Sequence, residues 1–581
     1  MSRTGKKWRA IAASTIVLFF VLSLFWQTRA SADQSLAEQL LEIMRANHQI
    51  SEAQYNKLKR KAQEQKAAQA KTNEEYKQLK QQVEQQKAAV QNQQVQTVAQ
   101  YQQLKKKSDE QQAAISKACA LASSQNNVSA NEQLRQTGTG TGGGGVNFKM
   151  GKLNVNLGGF IEAAGIYRSK WLGADVDAPF QNLPLGYKPS AYQDESRLTG
   201  RQSRLSVLVQ GDVSPTVHLG GYYEMDFLGS APSANSNESN SYNPRARHLF
   251  AMADWDTYGL HMLGGQTWSL ITMNSKGIEP FTVDNPLTID AQYVPGFNWA
   301  RQPQFRIVKD WDKTYWLAVS VENPTTTIGG IGPGITNYAI NQAPQSGLFA
   351  SNLSVNDMPD IVEKAAWDAP FGHLEVFNLT RQFQSNLIVG SGAATTLNDQ
   401  SPIGDAVGGA AIIPIGFVEG LHAEVSAMYG QGIGRYGSGQ LPDTTYDSTG
   451  AIHPITALHF LGNLTWSPNK EWTFYAYYGL EQAQRSYSGS TYGYGNPNID
   501  VFVPGLDPSY KFEGAVQSVA QITVGDWWNF YHGSFGNMVW GLQYSYTTDT
   551  YFSGSNGAGS ALAGPQANDN MFYTSLRYYW N

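Results

Sequence analysis

The 581-residue chain holds a single cysteine, Cys119, so an intrachain disulfide framework is excluded. Past the N-terminal segment it lacks any apolar run near the roughly 20 residues that a membrane-spanning helix needs. The longest stretches, such as 410–415, are strand-sized. No GxSxG, HExxH or Walker pattern occurs, and His218, His248, His261, His422 and His459 are scattered over strand patterns. No enzyme is expected, and no cofactor or metal. Asp254-Trp255-Asp256 and Asp310-Trp311-Asp312 fit polar turns better than calcium sites. A basic surplus is missing where nucleic acid would need it. The first 145 residues hold 20 of the 42 Lys and Arg but only 11 of the 47 Asp and Glu, so residues 146–581 carry 22 against 36, a net of −14.

What the chain has in quantity is aromatic side chains and glycine: 30 Tyr, 24 Phe, 15 Trp and 57 Gly. Without apolar helices, this composition suits an exported all-β protein. Residues 1–32 predict the export signal. Arg3, Lys6, Lys7 and Arg9 precede an apolar stretch from Ile11 to Phe25, and Ala30-Ser31-Ala32 fits a small-residue cleavage site. The alternative is an uncleaved membrane anchor, for which the apolar run is short.

Residues 33–122 contain neither Pro nor Gly and are rich in Gln, Ala, Lys and Glu. Leu36, Ile43 and Ile50 recur every seven residues, as do Tyr76, Val83 and Val90. This predicts a weak, interrupted coiled coil, read either as an oligomerisation stalk or as a polar spacer. Residues 123–147 lose the period and include Gly142 to Gly145, a flexible linker.

From residue 148 to 581 the period becomes two. Leu205, Val207 and Val209 alternate with Arg204, Ser206 and Gln210. On the returning strand, Val217, Leu219, Tyr223 and Met225 alternate with His218, Tyr222, Glu224 and Asp226. The pattern alone does not say which face is wet. Connection lengths do. Long ones near 169–200, 229–243, 269–299, 324–357, 382–405, 431–452, 483–508 and 550–568 alternate with short ones near 212–215, 256–257, 310–313, 369–371, 418–420, 467–471 and 528–535. Outer-membrane barrels have this asymmetry, with short turns in the periplasm and long loops outside. Trp466 with Trp472, Trp255 with Tyr258, and Trp311 with Trp316 flank short turns, as an interfacial girdle requires. The fold class is therefore all-β: an antiparallel transmembrane β-barrel of about 16 strands, preceded by a helical coiled-coil segment. A barrel this wide leaves an aqueous lumen.

Its expected pore-lining residues are Arg201, Arg204, Glu224, Asp226, Arg245, Arg247, Arg306, Glu162 and Arg577, because charge on the lipid face costs free energy. They either filter solutes or stiffen the wall in pairs, and Arg201 and Arg204 are the candidate anion-attracting patch. The connection from Ser269 to Ala300, with Asp284 and Asp290 as its central acids, is the candidate constriction loop.

Several segments carry a family likeness: Gly158-Gly159-Phe160-Ile161-Glu162, Arg201-Gln202-Ser203-Arg204-Leu205, Gly221-Tyr222-Tyr223-Glu224-Met225-Asp226-Phe227 and Gly265-Gln266-Thr267-Trp268-Ser269. With the leader, the coiled coil and the Gly hinge, they resemble the DcaP-type trimeric porins of Gram-negative outer membranes. The resemblance implies a homotrimer in outer-membrane lipid and lipopolysaccharide, with its N-terminal segment in the periplasm. It also implies a loop constriction after the fifth strand and passage of small hydrophilic solutes, often organic anions. One departure is the last residue: Trp580 is followed by Asn581, where such barrels usually end in an aromatic. The rival reading is a structural anchor whose stalk binds peptidoglycan or a periplasmic partner.

Overall fold

The computed structural model describes residues 146–581 apart from 230–241, 331–336, 340–355, 390–395, 448, 489–491, 498–501, 504–510, 513, 556–560 and 581, together with a few residues between 52 and 80. The leader, Cys119, most of the coiled-coil segment and residues 123–145 lie outside the described residues. The chain divides into two units, 1–126 and 127–581. In the first, the described residues are helical.

The second unit is a closed antiparallel barrel of sixteen strands. They are β1 (Leu153–Arg168), β2 (Glu195–Thr199 and Arg204–Ser214, broken at 200–203), β3 (Val217–Asp226), β4 (Arg245–Trp255), β5 (Leu260–Trp268), β6 (Arg301–Trp311), β7 (Tyr315–Glu322) and β8 (Asp360–Ala369). The circuit continues with β9 (Gly372–Gln382), β10 (Ile403–Pro414), β11 (Leu421–Gln431), β12 (Thr456–Trp466), β13 (Trp472–Ala483), β14 (Val516–Gly533), β15 (Gly536–Tyr551) and β16 (Gln566–Tyr579). Each pairs with its neighbours in sequence, and β16 returns to β1 through Tyr579↔Phe160 to Met571↔Arg168. A leading strand, Val146–Met150, adds to the free lower part of β1 through Val146↔Leu157 to Met150↔Leu153. Val146 and Asn147 are thus strand residues rather than linker, because the alternation starts as soon as the Gly run ends at 145.

Eight long connections alternate with seven short ones, as the sequence predicts. The alternation also resolves which face is wet. Leu205, Leu219 and Tyr223 are 46%, 48% and 36% exposed on the outside, whereas Arg204, Ser206, Glu224 and Asp226 are at most 6% exposed inside. The barrel is apolar outward and charged inward, inverted from a soluble sheet.

The outward aromatics gather at the short-turn end. Trp472 stacks on Trp528 at 5.6 Å, and Tyr315 stacks on Trp367 at 6.1 Å. Trp316 does not join them. It is buried inside and donates its indole N–H to Asp368 at 2.9 Å. The turn after Trp311 pairs that residue with Tyr315, so the outward position belongs to Tyr315 and the next residue points in.

Candidate functional site

The interior is built from inward rows of the strands. Across β3 and β4, Arg245 grips Asp226 with two hydrogen bonds, Nε at 3.0 Å and Nη2 at 2.8 Å. Arg247 reaches Glu224 at 2.6 Å and Asp226 at 2.9 Å. A register shift beside Glu224 lets both arginines reach the same acid. On the seam, Arg577 binds Glu162 at 2.8 Å, and the Ser575 hydroxyl donates to the same oxygen at 2.6 Å. Arg306 donates to the Trp268 carbonyl at 2.6 Å and to Gln304 at 3.1 Å. Arg204 points inward beside the Phe160 ring. Arg201 is not a ladder residue. It lies in the break of β2, half-buried, with Asp175 at 2.7 Å. The break arises at Gly200, where a Cβ would come within 3.1 Å of the Glu162 carbonyl.

Most of the inward charges are therefore interleaved as local pairs, in place of a basic wall facing an acidic wall, and Arg306 is held by neutral oxygens. Arg301 stands apart. Its guanidinium lies 5.0 Å from the Trp268 ring and 5.2 Å from the Trp299 ring. No carboxylate lies within ion-pair distance of it among the described residues. The Trp268 ring also faces Arg247 at 5.8 Å. Next to this group, burial pushes the carboxyl of loop residue Asp177 above its ordinary range, opposed by Arg245.

The third long loop, L3 (269–300), folds into the lumen, and the walls hold it by its backbone. Leu270 N–H donates to Glu322 at 2.8 Å, Asn274 N–H to Glu375 at 3.2 Å, and Gly277 N–H to both oxygens of Asp368 at 3.1 Å. Farther along, Leu287 N–H donates to the Tyr477 hydroxyl at 3.0 Å and Ile289 N–H to Gln543 at 2.6 Å, while Trp527 donates to the Leu287 carbonyl at 2.7 Å. Gly296 N–H donates to Glu481 at 2.7 Å. The loop thus touches strands from β7 to β16, and its Phe281 packs on Tyr222 of β3 and Phe250 of β4. Its last turn seats where the wall has no side chain: a Cβ on Gly479 would fall 1.8 Å from the Pro295 carbonyl.

Asp284 and Asp290 are both buried. Asp290 accepts from the amides of Asp177 and Gln292 and from the Tyr573 hydroxyl at 2.9 Å, and it pairs with Arg168 at 3.6 Å. It clasps L3 to the first long loop, L1 (169–194). Two inward loops escaped the sequence reading: L1 and L6 (432–455). Val176, Phe180 and Leu183 of L1 and Ile433, Tyr436 and Leu441 of L6 are almost fully buried. Apolar residues inside long loops were the available signal. Also missed were the buried groups Arg168–Glu195 (3.1 Å), Lys364–Glu375 (2.8 Å) and Arg381, which pairs with Asp360 (3.1 Å) and Asp443 (3.0 Å). Residues of L6 separate Asp443 from its strand partners in sequence, so spacing alone does not join them.

No family model and no curated protein matches the chain. Among solved structures, the outer membrane channel DcaP of Acinetobacter baumannii aligns with 75% of this chain and 100% of its own, at TM-score 0.52 and 18% sequence identity. The barrel has that channel's fold. More distant likenesses are an anion-selective porin from Comamonas acidovorans (12% identity, 74% of this chain and 100% of that one, TM-score 0.40) and OmpT of Vibrio cholerae in its trimer form (11%, 74% and 100%, 0.39).

Proposed function

We propose that the chain is an outer-membrane porin that lets small hydrophilic solutes diffuse through a lumen narrowed by L3. The inverted barrel carries this reading: a charged interior inside an apolar outer face has a use only where lipid lies outside and water inside. The short turns and both ends of the barrel then face the periplasm, and the N-terminal segment lies there too. A homotrimer follows from the resemblance. Conductance of the purified protein in planar bilayers tests the reading, and a barrel that passes no ion current would sink it.

The solute class we infer is organic anions. Arg245 and Arg247 pair with Glu224 and Asp226, with the Asp177 carboxyl of L1 beside them, and Arg301 offers a cation flanked by indole rings. A planar carboxylate suits such a guanidinium. Arg204 is the second candidate contact, while Arg201 is engaged by Asp175. Arg306, Arg577 and Glu162 serve as wall struts in this reading, and Asp284 and Asp290 hold the constriction in shape. Reversal potentials in a salt gradient decide it: Arg301→Ala should move the selectivity toward cations, and an unchanged potential would refute the anion preference.

A further inference from the structure

Three acids on the barrel strands face outward among the described residues. Glu363 and Asp405 belong to a polar rim toward the long-loop ends of β8 and β10. Glu363 lies opposite Asn378, and Asp405 receives the Thr380 hydroxyl at 2.9 Å. Asp526 is different. Its ladder partners are Phe474 and Leu542, both outward and exposed, and its own outward neighbours are Val524 and Trp528. Among the described residues its carboxylate has neither a hydrogen bond nor an ion pair.

Asp526 begins a continuous in-register row across five strands: Asp526↔Leu542, Leu542↔Thr574, Thr574↔Gly165 and Gly165↔Leu198. The side chains in the middle of the row are small. The next row toward the long-loop end carries Tyr544, Phe572 and Tyr167, with ring centroids 4.9 Å and 6.3 Å apart. Small residues beside an aromatic ridge leave a trough of about 1060 Å³ on the outer face. Strands of a barrel tilt by roughly 35–45°, so a row perpendicular to them climbs diagonally through the apolar belt. Its foot lies one outward position from Trp528, which stacks on Trp472 in the girdle at the short-turn end. That is headgroup height.

Resting on the membrane-barrel reading above, we propose that this trough binds a phospholipid bearing an ammonium headgroup. The Asp526 carboxylate pairs with the ammonium, and one acyl chain lies along Leu542, Thr574, Gly165 and Leu198 under the aromatic ridge. A carboxylate on a lipid face is costly unless paired. A second copy of the chain, as in the homotrimer, is the other occupant to weigh, and it has little to offer the carboxylate. The bases at the outer face of the described barrel strands are Arg197, which lines the far end of this trough itself and pairs with Glu195 at 3.6 Å, and Lys309. Its ammonium is already bound by the Tyr258 carbonyl at 2.8 Å and the Asp310 carbonyl, over the Trp311 ring.

The test uses the full chain in mild detergent, offered phosphatidylethanolamine and phosphatidylglycerol in equal amounts, with retained lipid counted by native mass spectrometry. The wild type should retain the ethanolamine lipid in about fivefold preference, the ratio expected of one solvent-accessible ion pair. Asp526→Asn should abolish the preference, and Gly165→Leu should fill the trough and lower retention of both lipids. An Asp526→Asn protein that keeps the preference overturns the proposal. So does a photo-crosslinker at Leu542 that captures a second copy instead of lipid. Lipid retention is read independently of current, so a failure of the porin reading and a failure of this site are told apart.

Discussion

Two arcs of the same wall put inward charge to different uses. In the arc β3–β4, carboxylates meet guanidinium groups: Glu224 and Asp226 are held by Arg245 and Arg247. In the arc from β7 to β15, carboxylates meet backbone as well, although Glu375 also holds Lys364 and Asp360 holds Arg381. Glu322, Asp368, Glu375 and Glu481 accept amides of L3, and Asp549 accepts the Leu183 amide of L1 at 3.1 Å. An inward acid is therefore no guide to what a solute would meet. In the first arc it is neutralised by side chains, and in the second it also anchors a loop. Arg301, which no carboxylate holds, lies beside the first arc, over the same Trp268 ring that faces Arg247.

The comparison can be broken by substitution. The largest effect is expected for Arg247→Ala, which strands the buried Glu224 carboxylate and takes one of two arginines from Asp226, and should cost about 3–5 kcal/mol, read as a lowered temperature of barrel unfolding on a heat-modifiability gel. An unchanged unfolding temperature would mean the first arc is not held by its pairs. Next comes Glu481→Leu. It removes the acceptor for Gly296 and for the Gly439 amide at 2.6 Å, and should loosen L3 by about 2–3 kcal/mol. Conductance should rise and L3 should become cleavable by protease, while the outer barrel keeps its unfolding temperature. Gly479→Val tests the same seat sterically and should cost about 1–3 kcal/mol by overpacking, again with a raised conductance. The smallest effect is expected for Arg201→Ala. Its pair with Asp175 is half-exposed, so stability should fall by no more than about 1 kcal/mol, and selectivity should move less than in Arg301→Ala.

The barrel was legible in the sequence because strand period and loop length are local quantities. Leu205 against Arg204 and Leu219 against Glu224 reveal two faces, and the alternating connection lengths say which face is wet. The girdle shows where this reasoning thins. Trp311 and Trp316 look equivalent by spacing, yet a turn one residue longer or shorter exchanges inside for outside, and Tyr315 takes the place assigned to Trp316. The interior was legible only as a set of charges. Which acid meets which base depends on register: Arg247 reaches Asp226 through a bulge that no residue in the segment announces. Loop anchoring was less legible still. Glu481 holds Gly296 from 185 positions away in sequence, and backbone amides leave no mark on composition.

The seam between β1 and β16 has a consequence for how such a barrel is made. Glu162 and Arg577 are separated by 415 positions, so the contact that closes the cylinder joins nearly the first strand to the last. Until the C-terminal strand arrives, β1 carries an open edge, the kind of surface on which unfinished sheets stick to one another. The leading strand Val146–Met150 already occupies the lower part of that edge by a local hairpin, which forms within microseconds. Only the stretch from Phe160 to Arg168 is left to wait for Met571 to Tyr579. The nine-residue gap that closes last is thereby reserved for the one partner of matching length and register, and closure becomes the slow, committing step of biogenesis.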